Sequence, residues 1–160
     1  MMTIIRAADE DEKLWFYGGG VHTWKVNAKD TDGALCIFED ALARGKTTPL
    51  HRHPDADEII VILEGEVLCH AEGEPQRVGK GGVIINQRGV VHAFVVTSDV
   101  ARILTIVTPG TGMESFFKAA SEPVSPTGDG PVDFRKVGEA AKQTGATEIL
   151  GPPPFRKEMF

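Results

Sequence analysis

Between Leu14 and Thr108 apolar residues come in short runs or alternate with polar ones, and no helical period of useful length appears before residue 112. Nine strands are predicted: Leu14–Gly18, Val21–Val26, Ala34–Leu42, Glu58–Leu63, Glu66–Ala71, Gln76–Val78, Val83–Asn86, Val91–Thr97 and Arg102–Thr108. Glu64-Gly65, Gly73-Glu74-Pro75, Gly79 to Gly82 and Arg88-Gly89 supply turns between several of them. Many short strands at this spacing predict an all-β sandwich or barrel, since a parallel α/β sheet would interleave helices.

After Pro109-Gly110 the pattern changes. Met113–Ala120 predicts a short helix with Thr111 as its cap, and 121–130 reads as loop. Pro131 to Gly145 predicts a second helix, with proline near its start, Phe134, Val137 and Ala141 on one stripe, and glycine just past its end. The prolines of GPPPFRKEMF stop any continuation. Residues 1–110 are expected to form the barrel. Residues 111–160 form a short helical extension of the same domain, too small to stand alone.

Composition narrows the function classes. The 160 residues fit one domain. The net charge of -6 argues against a nucleic-acid or anionic-membrane partner. The longest aliphatic run, Ile59 to Leu63, is far too short to span a bilayer. An N-terminus that turns acidic after six residues suggests a cytoplasmic protein. Cys36 and Cys69 fit no zinc or redox spacing and read as small buried apolar residues.

Histidine carries the chemistry. His51 and His53 are one residue apart, which in a strand puts both on one face. Glu58 follows at the head of an apolar run, and His92 sits downstream in another β-rich stretch. Imidazoles and a carboxylate converging in a barrel would make a mixed nitrogen–oxygen site for one divalent metal. Four ligands leave two octahedral positions for a substrate or dioxygen. Fe(II), Mn(II), Co(II) or Ni(II) fit such a set, and zinc could occupy it as isolated.

At these residues the sequence resembles the cupin superfamily. Its first motif is glycine, five residues, His-x-His, three or four residues, Glu, six residues, glycine; Gly45, His51, His53, Glu58 and Gly65 meet every spacing. In the second motif Gly81, Gly89 and His92 match, while Gln87 stands for a proline and Val96 for an asparagine. PLHRHPDADEIIVILEGEV, QRGVVHAF, TPG with ESFF, and GATEILGPPP are similar to single-domain bacterial cupins related to quercetin dioxygenases. The resemblance implies a small double-stranded β-helix, or jelly-roll, barrel that forms a homodimer. It also implies a metal held by His51, His53, Glu58 and His92, and a small-molecule substrate, aromatic or enolic, cleaved with dioxygen.

Glu58 is read as a ligand first and, if it leaves the metal, as a base toward an acidic substrate hydroxyl. By strand alternation Ile60 and Ile62 share its face and Phe94 shares that of His92, so these three could line a substrate pocket. Phe116 and Phe117 could lid the barrel mouth or anchor the first helix. His22 and His70 are read as structural, and the cations around Gly45, Arg44 and Lys46, as a solvated turn. No phosphate-cradling GxxxxGK[ST] and no Gly-x-Ser-x-Gly elbow is present. A dioxygenase-like oxidoreductase therefore ranks first, a redox-neutral metal-dependent isomerase or lyase second, and a non-catalytic small-molecule binder third.

Overall fold

The computed structural model describes residues 2–160. Twelve strands are present among them: β1 (Glu12–Phe16), β2 (Val21–Val26), β3 (Cys36–Ala43), β4 (Leu50–Arg52), β5 (Asp57–Glu64), β6 (Glu66–His70), β7 (Gln76–Gly79), β8 (Val83–Asn86), β9 (Ala93–Val96), β10 (Val100–Thr108), β11 (Ser121–Pro123) and β12 (Glu148–Gly151). Two α-helices accompany them, α1 (Gly110–Ala119) and α2 (Phe134–Thr144). Seven strands form one antiparallel sheet in the order β11-β1-β2-β3-β10-β5-β8. The smaller sheets are β7-β6-β9 and β12-β4. The architecture is the expected all-β jelly roll, and among the described residues no helix is long and apolar enough to cross a membrane.

Alternation positions the interior. Along β3 the residues Cys36, Phe38, Asp40 and Leu42 are buried and their neighbours are not. The same period runs through Glu58, Ile60 and Ile62 on β5, and through Ala101, Ile103, Thr105 and Val107 on β10. Strand register stacks these into inward rows: His22, Asp40, Ile103 and Ile62; then Trp24, Phe38, Thr105 and Ile60; then Cys36, Val107, Glu58 and Asn86. One apolar cluster, built on Phe16, Trp24, Phe38, Phe116 and Phe117, ties the barrel to both helices. A second, built on Leu42, Ile60, Ile62, Phe94 and Ile103, fills the opposite part.

Several elements differ from the sequence reading. Segment 121–130 is not all loop, because Ser121–Pro123 adds β11 to the edge of the large sheet beside β1. β4 and β12 also escape the alternation, each being only three or four residues long and paired across about half the chain. The first helix starts at Gly110, three residues before the predicted start. A Cβ at Gly110 would lie 2.4 Å from the Leu35 backbone carbon, so glycine lets this turn sit against the barrel. The second helix matches closely: the Asp133 side chain accepts from the Arg135 and Lys136 amides, and Gly145 ends it at φ 69°. On its predicted stripe Val137 and Ala141 are buried, whereas Phe134 is partly exposed.

His22 is 2 % exposed and stacked between Phe16 and Phe38, at centroid distances of 4.6 and 4.4 Å. Burial, reinforced by the charge of Lys46, holds its pKa well below the usual histidine value. The unfolded chain therefore binds a proton below about pH 6.5 that the folded chain refuses, and stability falls as pH drops through that range. The urea midpoint is expected to decrease between about pH 7.5 and about pH 5.5, and to decrease less in His22→Phe. Equal pH slopes for the two proteins would refute this assignment.

Candidate metal centre

The backbone pairs the two histidine segments directly. The His51 amide donates to the His92 carbonyl at 3.1 Å, and the His92 amide returns a bond of 2.8 Å to the His51 carbonyl. This close antiparallel pair sets the two rings 4.3 Å apart, centroid to centroid. His53 lies beyond β4, its ring 5.0 Å from His51 and 5.2 Å from His92. Glu58 enters from β5, in the row nearest the end of that strand. The four residues named from spacing are thus brought together, and all four are buried.

Each imidazole is oriented by a bond on its far side. His51 Nδ1 lies 2.8 Å from the Pro49 carbonyl, and His92 Nδ1 lies 2.9 Å from the Val90 carbonyl. A carbonyl can only accept, so in both rings Nδ1 carries the hydrogen and Nε2 offers its lone pair. His53 Nδ1 sits 3.1 Å from Thr147 Oγ1, whose own hydrogen is directed to Met113 Sδ. That arrangement fixes the same tautomer. Sequence reading missed Thr147: it lies 94 residues from His53, between α2 and β12, and no local pattern marks it.

Ligand atoms of His51, His53 and His92 all lie within 4.8 Å of one another. Nε2 of His53 and of His92 are buried without any hydrogen-bond partner. Buried polar atoms are normally satisfied, so bare nitrogens this close to one another fit a bound cation. Glu58 completes the group, with Oε1 3.7 Å from His53 Nε2 and Oε2 3.2 Å from His92 Nε2. Asn86, its cross-strand partner, donates to Oε2 at 3.1 Å.

Electrostatics agree with a cation site. Burial, then the neighbouring His92 and His53, push His51 down to about 3, leaving it neutral. Burial alone would raise Glu58, but its contacts with His53 and His92 outweigh that and hold it well below the usual carboxylate range. Burial likewise pulls His92 down, and Glu58 more than reverses this, so its pKa is raised. An ionised Glu58 and a neutral His51 suit a divalent transition metal, whose charge would take the place of the proton that Glu58 favours on His92.

The centre opens into a narrow cavity of about 60 Å³. Phe16, Phe38, Phe94, Phe116, Phe117 and Ile60 supply much of its wall. Phe94 and Ile60 therefore line it as expected, while Ile62 is buried in the apolar cluster and is not part of the lining. Phe116 and Phe117 both pack in the core and border the cavity. Lys46 departs from the solvated turn expected of it. It is half-buried, with Nζ 4.8 Å from the Phe94 centroid, because its backbone is tied to β9 by the Val96 amide. His22 and Asp40 also reach the lining, and neither had been singled out for chemistry.

Replacing Thr147 with valine removes the partner of His53 Nδ1 at nearly constant volume. Metal affinity is expected to fall about 10–100-fold, and Thr147→Ser to retain it. Competition with a chelator measures this; an unchanged affinity in the valine variant would show that Thr147 does not orient the ligand.

Comparison with known proteins gives a consistent result. The family model described as Cupin domain matches residues 38–107. Quercetin 2,3-dioxygenase of Bacillus subtilis (strain 168) is 23% identical over 106 residues, covering 66% of this chain and 31% of that protein. The chain thus spans about a third of the length of the curated relative it matches. Among solved structures, a predicted oxalate decarboxylase from Thermotoga maritima superposes with a TM-score of 0.58 at 21% identity, covering 66% of this chain and 98% of the other. The polyketide cyclase RemF from Streptomyces resistomycificus gives 0.56 at 22% identity, covering 68% and 80%. The matched region spans both histidine segments and the jelly-roll fold is shared, so this chain resembles members of the cupin superfamily.

Proposed function

We propose that the chain is a mononuclear metal-dependent enzyme, dioxygenase-like, acting on a small aromatic or enolic molecule. The observation that carries this reading is the convergence of three oriented Nε2 atoms beside Glu58 at the end of an aromatic-walled cavity. His51, His53 and His92 would hold the cation, with Glu58 as the fourth ligand. Iron, manganese, cobalt or nickel would suit the reaction, with zinc an occupant as isolated. When bound, the metal supplies Lewis acidity that lowers the pKa of a substrate hydroxyl. Glu58 would accept that proton, with Asn86 bonded to its Oε2. Phe94 and Ile60 exclude water and press on the apolar part of the substrate. The distant likeness to a quercetin dioxygenase supports the reaction class. The cavity itself favours a smaller molecule, being well below the roughly 300–1,000 Å³ of drug-sized sites. A homodimer in the cytoplasm, with residues 111–160 belonging to the same domain as the barrel, completes the reading.

Anaerobically reconstituted protein carrying each metal in turn, given enols, catechols and flavonols, is expected to take up oxygen on aeration. Glu58→Gln at equal metal content should slow that uptake. No uptake with any metal or substrate class would overturn the dioxygenase reading. The acid and amine that share the cavity, Asp40 and Lys46, favour a redox-neutral isomerase or lyase as the second reading. Turnover with zinc in the absence of oxygen would select it.

A further inference from the structure

The cavity has polar groups away from the histidine centre. Asp40 and its cross-strand partner His22 belong to the inward row two removed from that of Glu58, with Phe38, Thr105 and Ile60 between. His22 Nδ1 and Asp40 Oδ1 are buried without hydrogen-bond partners, and the two side chains approach only to 3.4 Å. Lys46 Nζ rests over the faces of Phe94 and Phe16, at 4.8 and 5.9 Å from the centroids. Among the described residues it has no carboxylate within 4.0 Å and makes no hydrogen bond. Its backbone is nonetheless fixed: the Lys46 amide donates to the Ala43 carbonyl at 3.1 Å, and its carbonyl accepts from Val96 at 2.9 Å. Two buried unsatisfied side chains on strands and an ammonium without a carboxylate partner, all lining one cavity, are a poor way to fill a core and a good way to receive a ligand.

We propose that His22, Asp40 and Lys46 form a second subsite of this cavity, which receives the carboxylate of a small organic acid whose other oxygen faces the His51, His53 and His92 end. The far end rests on the metal-centre reading above. Charge balance supports the choice of an anion. A divalent ion, three neutral imidazoles and ionised Glu58 leave one positive charge, and Lys46 adds a second. Ionised Asp40 would cancel only one of these, so the enclosed site lacks negative charge in either state. Burial raises Asp40 to about 8, which makes it a donor to an incoming carboxylate at neutral pH. Neutral His22 and a single ammonium match a planar monoanion better than a phosphate, which calls for more cations or a helix N-terminus.

Calorimetric titration of metal-loaded protein with acetate, propionate, 4-hydroxybutyrate and benzoate, each beside its amide, and with inorganic phosphate, tests the subsite. At least one carboxylate is expected to bind about tenfold or more tighter than its amide and than phosphate. That preference should vanish in Lys46→Met and persist in Lys46→Arg. No preference over the amide in the unaltered protein, tighter binding of phosphate, or a preference undiminished in Lys46→Met would each overturn the proposal. Metal content measured on the same samples separates the two readings. Full metal with no carboxylate preference rejects the subsite alone, and a Lys46-dependent preference in protein that takes up no metal rejects the metal centre alone.

Discussion

Alanine at His92 is expected to reduce bound metal from about one ion per chain to almost none, and alanine at His53 to do the same. Among the described residues Nε2 of each ring has no hydrogen-bond partner and faces Glu58, itself a candidate ligand, so the cation gains a full ligand from it. Removing one imidazole leaves two, with Glu58, to hold the ion. The loss has a thermodynamic signature apart from activity. A ligand present at about 1,000 times its dissociation constant stabilises the folded state by about 4 kcal/mol. Added manganese or nickel should therefore raise the thermal midpoint of the unaltered protein and leave that of His92→Ala in place. Elemental analysis and calorimetry of both proteins check this, and equal metal content would remove the assignment of His92 as a ligand.

Phe38→Ala is expected to cost about 3–5 kcal/mol of stability, measured by urea unfolding. Phe38 is 2 % exposed, and its ring lies 4.4 Å from His22, 4.7 Å from Phe117 and 5.1 Å from Trp24, centroid to centroid. It joins the large sheet to α1, so truncation opens a void that neither the backbone of β3 nor the helix can close. The same void would widen the substrate cavity. A cost below about 1 kcal/mol would mean that the site collapses around the missing ring.

Much of the candidate metal centre was legible because its signals are local. His51 and His53 share a strand face by their spacing, Glu58 opens a run of alternating burial, and each is close in sequence to a glycine that shapes its turn. Gly65 shows how firmly such a position is specified. It sits at φ 76°, and a Cβ there would lie 2.2 Å from the Val100 carbonyl oxygen. Alternation likewise put Ile60, Ile62 and Phe94 indoors, although it could not tell a cavity wall from the packed interior behind it.

By itself, then, the sequence determined the strands of the main sheet other than β11 and the second helix with its terminal glycine, and its likeness to the cupin motifs grouped the four side chains. The strands and the helix follow from strand period and turn chemistry, which act over a few residues, and the grouping of distant His92 with the other three follows from the resemblance. Tertiary structure alone decided that Ser121–Pro123 and Glu148–Gly151 become strands, since an edge segment this short takes its conformation from a partner far along the chain. It also decided that Thr147 orients His53, and that Lys46 turns toward the aromatic cavity that Asp40 and His22 line. The physical reason is common to all of them: a buried polar group is satisfied by whatever the fold brings near it, and sequence distance does not constrain that neighbour.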